Sequence, residues 1–418
     1  MTVRRRPLST LVAAVTLTLL TASGVLPASP AAARTPAGAP WIGWTGTWAA
    51  APSHAVPGLP GASIRNVVHT SAGGYAVRIR ITNRFGTAPL RLGAVTVALQ
   101  IPGAPKSPGA VPGSVRRVTH RGAAAITVPA GRDLVTDPVP LWVRAAANLL
   151  VTLHTPADSG PATYHRSAVQ TNFIAPGGDH TADESGAAYT ATTGSWYYLA
   201  GVDVLSPLTR GSVVAFGDSI TDGSGSTNSA DRRWPDRLAA RLAALPPHRR
   251  LGVLNAGIAG NRLLLDGTGP SAPSRFDADA LTHTGVRAVI VMEGVNDIKG
   301  RPEQTDPAAF AAAYRRLAAR AHARGIRVIG GTIAPFGGHS GWTKAREAVR
   351  QSVNRFIRTG GLFDGVADFD AAVRDPQRPE RILPAYDPGD HLHFNDAGYQ
   401  AMADAVDLAG LRVPAKTA

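Results

Sequence analysis

The chain has 418 residues, of which 44% are hydrophobic and 17% are charged, a composition typical of a folded globular protein with room for two domains. It contains no cysteine, which excludes disulfides, thiolate catalysis and cysteine-ligated zinc sites. The formal net charge is +14, but the basic residues are scattered without long runs or interleaved aromatic residues. A solvated basic surface is therefore favoured over nucleic-acid binding.

The N-terminus has the pattern of a secretory signal peptide. Residues 4–6 are all arginine, an apolar segment lies within residues 8–25, and alanines at 31–33 supply the small residues of a cleavage site. We therefore predict a signal peptide over residues 1–33, with cleavage after Ala33, and a secreted protein. A single membrane anchor and twin-arginine export are the alternatives. No later run is apolar enough to span a bilayer, so no stable membrane insertion is expected.

The first half of the mature chain has the pattern of an all-β domain. It follows a linker rich in Pro, Ala and Gly at residues 34–40. Residues 75–83 alternate apolar and polar side chains for most of their length, as a half-exposed strand does. Gly- and Pro-rich turns separate the other predicted strands, at 92–101, 124–128, 149–154 and 196–204. This spacing predicts an antiparallel sandwich, jelly-roll-like, over residues 41–205.

After a second linker at residues 206–211, strands alternate with helices. The predicted strands are 213–216, 252–255, 288–292, 326–333 and 366–369, and the predicted helices are 232–245, 307–324, 343–359 and 395–409. This alternation predicts an α/β domain over residues 212–410, with a parallel sheet covered by helices on both faces, and a tail at 411–418.

Four polar segments follow predicted strands or precede the last helix. They are Gly217-Asp218-Ser219, residues 255–261, residues 293–297 and residues 387–395. Because the carboxyl ends of parallel strands meet at one edge of a sheet, we expect these segments to lie together.

The residues in these segments fit nucleophilic catalysis. A serine hydroxyl such as that of Ser219 needs a general base, and a histidine oriented by a carboxylate suits this role. Asp390 and His393 stand three residues apart on one loop, close enough to pair. The oxyanion of a tetrahedral intermediate needs donors, which the N–H groups of Ser219 and Gly260 and the side-chain amide of Asn296 could supply.

The motifs resemble those of the SGNH/GDSL hydrolase superfamily. Gly-Asp-Ser-Ile-Thr, Asn-x-Gly-x-x-Gly-Asn, Gly-x-Asn-Asp and Asp-x-x-His occur here in that order between about residues 211 and 410. The resemblance implies a flavodoxin-like three-layer α/β/α domain. It also implies Ser219 as nucleophile, His393 and Asp390 as base and orienting carboxylate, and Gly260 and Asn296 as oxyanion donors.

The chain departs from this family in three ways. Ile220 stands where the name-giving leucine does, a change that leaves the chemistry untouched. The chain lacks the cysteines of disulfide-bearing secreted members. The N-terminal sandwich lies outside the superfamily core, although a secreted actinobacterial-type subgroup, similar to xylan esterases, carries such a domain.

Some residues have alternative interpretations. Ser219 could be a simple turn or cap residue, and His391 is a rival to His393 as the base. Asp218 and Asp297 are expected to brace loops. His391-x-His393 also resembles a metal site, but Asn395 stands where the metallohydrolase pattern requires Asp. We therefore expect no metal and no other cofactor.

The sequence thus predicts a secreted serine esterase for short-chain acyl esters, acetyl above all. Its substrate would be a small-molecule or polysaccharide acyl ester. One alternative is a lipase or phospholipase type of acyl hydrolase. The other is a non-catalytic carbohydrate-binding or adhesion protein with a vestigial hydrolase domain.

Overall fold

The computed structural model of the protein describes residues 42–411. The predicted signal peptide, the linker at 34–40 and the tail after residue 411 lie outside the described residues.

The first half is built from short antiparallel strands, as the sequence predicted. They are β1 (Gly43–Ala49), β2 (His54–Val56), β3 (Ala62–His69), β4 (Gly74–Thr82), β5 (Leu90–Leu92), β6 (Ala94–Leu99), β7 (Arg116–Arg117), β8 (Ile126–Val128), β9 (Asp133–Val135), β10 (Val139–Val143), β11 (Asn148–Thr155), β12 (Ala162–His165), β13 (Asn172–Ala175), β14 (Ala191–Thr193), β15 (Trp196–Tyr197) and β16 (Leu199–Ser206).

These strands form two larger sheets. One has the order β1-β16-β4-β10, with β9 also paired to β4, and the other has the order β14-β13-β3-β11-β6-β7. Smaller sheets contain β15-β12-β2 and β5-β8. One apolar core joins the two larger sheets, because Ile79 of β4 and Val202 of β16 cluster with Ile64 of β3 and Val151 of β11. Alternating inward-facing side chains produce this core.

Strands and helices alternate in the second half. The strands are β17 (Ser212–Gly217), β18 (Gly252–Gly257), β19 (Val286–Met292), β20 (Arg327–Gly331) and β21 (Gly365–Ala367). The α-helices are α1 (Ser219–Asp222), α2 (Trp234–Ala243), α3 (Ala272–Phe276), α4 (Val295–Lys299), α5 (Pro307–His322), α6 (Lys344–Thr359), α7 (Phe369–Val373) and α8 (Asp396–Asp404), with a 3-10 turn at Pro247–Arg249 and a π-helical turn at Asp277–Leu281.

The strands of this half form one parallel sheet in the order β18-β17-β19-β20-β21. Counted within this half the order is 2-1-3-4-5, the flavodoxin-like order of doubly wound sheets. Val214 faces a core shared with α5 and α6, and its neighbour Val213 faces a core shared with α2 and α8. Successive side chains of β17 therefore anchor opposite helical layers, and the predicted three-layer α/β/α arrangement is confirmed.

Several predicted boundaries differ from those observed. The predicted strand 196–204 breaks into β15 and β16 at Tyr198, whose φ of 57° is a left-handed conformation that interrupts an extended strand. The last helix ends at Asp404 rather than at residue 409. The short helices α3, α4 and α7 were not predicted, because segments of five residues carry too little periodicity.

The two halves pack together through β1 and the edge strand β18. The Ser71 hydroxyl donates to the carbonyl of Val253 at 3.0 Å and accepts from its N–H at 2.8 Å, so it satisfies backbone groups on this edge of the sheet. A Cβ atom on Gly46 would lie only 2.8 Å from Leu254, which shows how closely β1 approaches the sheet. The halves belong to one compact unit. A domain boundary at residues 206–211 stays a prediction.

Within residues 42–411, no helix is both long enough and apolar enough to cross a membrane.

Candidate active site

Ser219 lies at the carboxyl end of β17, where the strand order of the sheet reverses. The partners of β17 are β18 on one side and β19 on the other, so this point is the topological switch at which doubly wound sheets bind ligands. Ser219 begins α1, and the Asp218 carboxylate caps this helix by accepting from the Ile220 N–H at 3.0 Å. The Ser219 side chain is thereby held at the edge of the sheet, on a turn of fixed geometry.

His393 connects Ser219 to Asp390. The Nε2 atom of His393 lies 2.9 Å from the Ser219 Oγ atom, and its Nδ1 atom lies 2.6 Å from the Asp390 Oδ2 atom. The other oxygen of Asp390 accepts from the N–H groups of His393 and Leu392, at 2.9 and 3.0 Å. The three side chains form one hydrogen-bonded line with the geometry of a nucleophile, a base and an orienting carboxylate.

The environment of Asp390 favours its charged form. Burial acts to raise its pKa, but the hydrogen bonds from the His393 backbone, the His393 ring and the Leu392 N–H outweigh burial. The pKa of Asp390 therefore lies below its ordinary value, and the carboxylate stays available to hold the ring.

His391 lies in a separate pair. Its Nδ1 atom is 2.5 Å from the Asp387 Oδ2 atom, and its backbone adopts a φ of 59°. The residue that contacts Ser219 is therefore His393 rather than its rival. Residues 42–411 contain no group of three or more side chains arranged to hold a metal ion.

The three predicted oxyanion donors follow the carboxyl ends of three neighbouring strands: Ser219 follows β17, Gly260 follows β18, and Asn296, in α4, follows β19. Gly260 has a φ of 83°, a left-handed conformation in which a side chain would be strained, and a Cβ atom there would lie 3.0 Å from the Thr268 Oγ1 atom. Asn296 is 7% exposed and donates one amide hydrogen to the Asn261 carbonyl at 2.8 Å, which leaves its second amide hydrogen for a ligand. In the described part of the chain, the N–H groups of Ser219 and Gly260 have no hydrogen-bond partner.

Asp218 and Asp297 hold loops in place. Asp297 accepts from the N–H groups of Leu263 and Leu264, at 2.7 and 2.9 Å, and so fixes the chain that follows Gly260. Asp218 is 1% exposed, and this burial raises its pKa to about 6, although the hydrogen bond from Ile220 opposes the shift.

Arg275 is a structural residue of the site that no sequence motif indicates. It donates to the carbonyls of Gly217 and Ala256, at 2.9 and 2.7 Å, and its guanidinium lies 3.1 Å from the Glu293 carboxylate. These carbonyls and Glu293 lie at the ends of three neighbouring strands, so one buried cation ties together the strand ends that carry the site. Burial raises the pKa of Glu293 well above its ordinary value, and Asp218 adds to the shift while Arg275 opposes it. No local pattern marks this role, because it depends on backbone carbonyls distant in sequence.

A serine at the switch point of a doubly wound α/β domain, hydrogen-bonded to a histidine, is an arrangement that serine hydrolases use. Residues 215–401 match the model of the GDSL-like Lipase/Acylhydrolase family, so this part of the chain is a GDSL-type hydrolase domain. The family predicted from the motifs is confirmed.

Solved structures similar to the chain include proteins described as hydrolases. A lipolytic protein of the G-D-S-L family from Desulfitobacterium hafniense DCB-2 is 21% identical, over 46% of this chain and 96% of that one, with a TM-score of 0.37. A carbohydrate acetylesterase from Sinorhizobium meliloti is 18% identical, over 46% and 95%, with a TM-score of 0.36. An acetyl xylan esterase from Geobacillus stearothermophilus is 19% identical, over 49% and 97%, with a TM-score of 0.37. No curated protein matches the chain.

Proposed function

We propose that this protein is a secreted serine esterase that removes short acyl groups, acetyl above all, from carbohydrate esters. The observation that carries the proposal is the hydrogen-bonded line from Asp390 through His393 to Ser219, with distances of 2.6 and 2.9 Å. A serine in this arrangement is a stronger nucleophile than a free hydroxyl, because the imidazole accepts its proton as it attacks.

The reaction proceeds through an acyl-enzyme. The Ser219 oxygen attacks the ester carbonyl carbon, and its proton passes to the Nε2 atom of His393. The resulting oxyanion accepts hydrogen bonds from the N–H groups of Ser219 and Gly260 and from the Asn296 amide. The carbon–oxygen bond to the alcohol breaks, and His393 gives its proton to the leaving alcohol. Water then attacks the acyl-enzyme, His393 takes its proton and returns it to Ser219, and the free acid leaves.

The surface position of the base and its carboxylate supports an ester carried on a polymer, with Ser219, 7% exposed, just below them. The side chains of His393 and Asp390 are 20% and 47% exposed, so the base and its partner lie near the surface. A long acyl chain gains affinity from an enclosed apolar channel, whereas an acetyl group on a polysaccharide needs little space beyond the nucleophile itself. The sequence resemblance to the xylan esterase subgroup favours the same substrate class.

We further propose that the strands before residue 206 form a jelly-roll-like sandwich and that the protein is secreted. Two antiparallel sheets with one shared apolar core support the sandwich. The basic, apolar and small-residue segments of residues 1–33 support secretion.

Covalent labelling tests the proposed function. The protein is incubated with a serine-directed fluorophosphonate, and the labelled peptide is identified by mass spectrometry. We expect one label, on Ser219, and loss of aryl acetate hydrolysis in step with labelling. Ser219→Ala is expected to lose both labelling and hydrolysis while it unfolds at the temperature of the wild type. Hydrolysis by Ser219→Ala at the wild-type rate would refute the assignment.

The acyl preference is tested separately. Rates are compared for acetyl, butyryl and octanoyl esters of one alcohol, together with release of acetate from acetylated xylan. We expect kcat/KM to be highest for acetyl and the polymer to be deacetylated. A maximum at octanoyl would instead identify a lipase-type enzyme.

A further inference from the structure

A buried ion pair joins the N-terminal strands to the helix that carries Ser219. His165 is the last residue of β12, and Asp222 is the last residue of α1. The His165 Nε2 atom lies 3.0 Å from the Asp222 Oδ1 atom, and both side chains are 3% exposed. The pair therefore connects the two halves of the chain, and its Asp222 lies three residues after the proposed nucleophile.

The surroundings of His165 require protons on both ring nitrogens. The Nδ1 atom lies 2.8 Å from the Ala51 carbonyl oxygen, and the Nε2 atom also lies 3.1 Å from the Ser167 carbonyl oxygen. Carbonyl and carboxylate oxygens only accept hydrogen bonds, so a ring that satisfies all of them donates from both nitrogens and is an imidazolium. Burial lowers the pKa of His165, but Asp222 and the two carbonyls raise it by more, and the net shift is upward.

Asp222 transmits this contact to the loop that follows β18. Its second oxygen, Oδ2, accepts from the Ala259 N–H at 2.9 Å, and Ala259 immediately precedes Gly260. The Asn255 side chain, on β18, donates to the Thr221 carbonyl at 2.8 Å. Both the strand and the loop that follows it are therefore hydrogen-bonded to α1. Asp222 thus holds the backbone immediately before Gly260.

The other cation near Asp222 is committed elsewhere. Arg233 donates to the Asp236 carboxylate at 2.7 Å and to the Ala168 carbonyl at 3.2 Å. The Trp196 ring packs against both cations, with its centroid 5.3 Å from that of the His165 ring and 5.8 Å from the Arg233 guanidinium carbon. Within the described residues, His165 is the side chain that donates to Asp222.

We infer that His165 is a positioning residue of the proposed esterase: the N–H of its Nε2 atom fixes Asp222, and Asp222 fixes the loop that aims the Gly260 N–H at the oxyanion. On this inference the N-terminal strands contribute a residue, His165, that the active site needs for its geometry. This inference rests on the proposed function, since it assigns Gly260 an oxyanion role.

Two variants distinguish the hydrogen bond to Asp222 from the space that the His165 side chain fills. The amide of Gln reaches about as far as the Nε2 atom and retains a donor toward Asp222, whereas the amide of Asn reaches only the place of the Nδ1 atom. His165→Gln and His165→Asn are therefore compared with the wild type. His322→Asn is the matched control, because it breaks a His–Asp pair that is also made through the Nε2 atom, at 2.8 Å, but lies on the surface of α5, with side chains 43% and 28% exposed.

The measurement is kcat for an aryl acetate, divided by the number of sites that a fluorophosphonate titrates. A purely structural role would lower the number of titrated sites and leave the rate of each site unchanged. We expect His165→Asn to lower kcat per titrated site by about 10²-fold with KM unchanged, because misplacing one catalytic group by an ångström has effects of that size. His165→Gln is expected to retain most of the rate, and His322→Asn all of it.

Equal rates per titrated site for His165→Asn and the wild type would overturn the inference, and so would equal losses in the Asn and Gln variants. If the wild type is neither labelled nor active, the proposed function fails as well. If the wild type is labelled and active and Ser219→Ala is neither labelled nor active, the proposed function stands. Either of the two outcomes named above then refutes only the role of His165. Should His165→Asn not fold, nitrogen NMR of the wild type at pH 8, compared with His165→Gln, decides. A proton on the Nε2 atom of His165 supports the inference, and an unprotonated Nε2 atom contradicts it.

Discussion

The Nε2 atom of His393 lies 2.9 Å from the Oγ atom of Ser219, although 174 positions separate the two residues in the chain. The loop that carries His393 also carries His391, which pairs with a different carboxylate, that of Asp387. Both histidines pair with an aspartate through the Nδ1 atom, but it is His393 whose Nε2 atom reaches the nucleophile.

Exchanging each of these histidines for glutamine tests the assignment of the base. We expect His393→Gln to lower kcat by about 10³-fold, because general base catalysis contributes on the order of 10²–10⁴ to the rate. His391→Gln is the matched control and is expected to keep kcat within a few-fold of the wild type. The measurement is steady-state hydrolysis of an aryl acetate. A larger loss in His391→Gln than in His393→Gln would contradict the assignment.

Asn296→Ala tests the oxyanion site. The substitution removes an amide that already donates to the Asn261 carbonyl and whose second hydrogen is available to substrate. We expect kcat to fall by about 10²–10³ with little change in KM, the usual effect of removing one oxyanion donor. Asn228→Ala, at an exposed asparagine, is the control and is expected to behave as the wild type. An unchanged kcat in Asn296→Ala would exclude this residue from the oxyanion site.

Arg275→Met tests the buried cation beneath the site. The variant keeps much of the side-chain volume but leaves the Glu293 carboxylate and the carbonyls of Gly217 and Ala256 without their donor. We expect the free energy of unfolding to fall by about 3–5 kcal/mol, as when one partner of a buried pair is removed. Urea denaturation provides the measurement. Arg316→Met, on the exposed face of α5, is expected to change stability by less than about 0.5 kcal/mol. Similar losses in both variants would contradict the role of Arg275.

Asp218→Asn tests how pH acts on the buried cap of α1. The pKa of Asp218 is raised to about 6 in the folded protein, above the ordinary value of about 3.9 in an unfolded chain. The folded state therefore binds the proton more tightly, and this carboxyl loses stabilising free energy as pH rises between these two values.

Asparagine can still cap the helix but is uncharged, so we expect the variant to gain stability relative to the wild type on going from pH 4 to pH 7. The gain is on the order of 2–3 kcal/mol, from the size of the pKa shift. Thermal or urea unfolding at both pH values measures it. Asp306→Asn makes the same exchange at the exposed cap of α5, where it relieves no burial, so it provides the comparison. A difference between Asp218→Asn and wild type that is the same at both pH values would refute the prediction.

The sequence by itself determined the α/β order, the approximate extent of most elements and the loops that carry the site. These features are local. A buried strand such as β17 is recognisable from its own apolar run, and Gly217-Asp218-Ser219 is recognisable from three adjacent residues. The spacing of three between Asp390 and His393 likewise indicated that the two could pair.

Only the tertiary structure decided which histidine reaches Ser219, because His391 and His393 differ by two positions and the direction of each ring depends on the turn that holds the loop. It also brought Arg275 beneath three strand ends and His165 against Asp222. Each of these contacts joins residues that are far apart in the chain, and their partners are backbone carbonyls or single carboxylates. Such partners leave no periodic pattern in the sequence, so packing alone determines them.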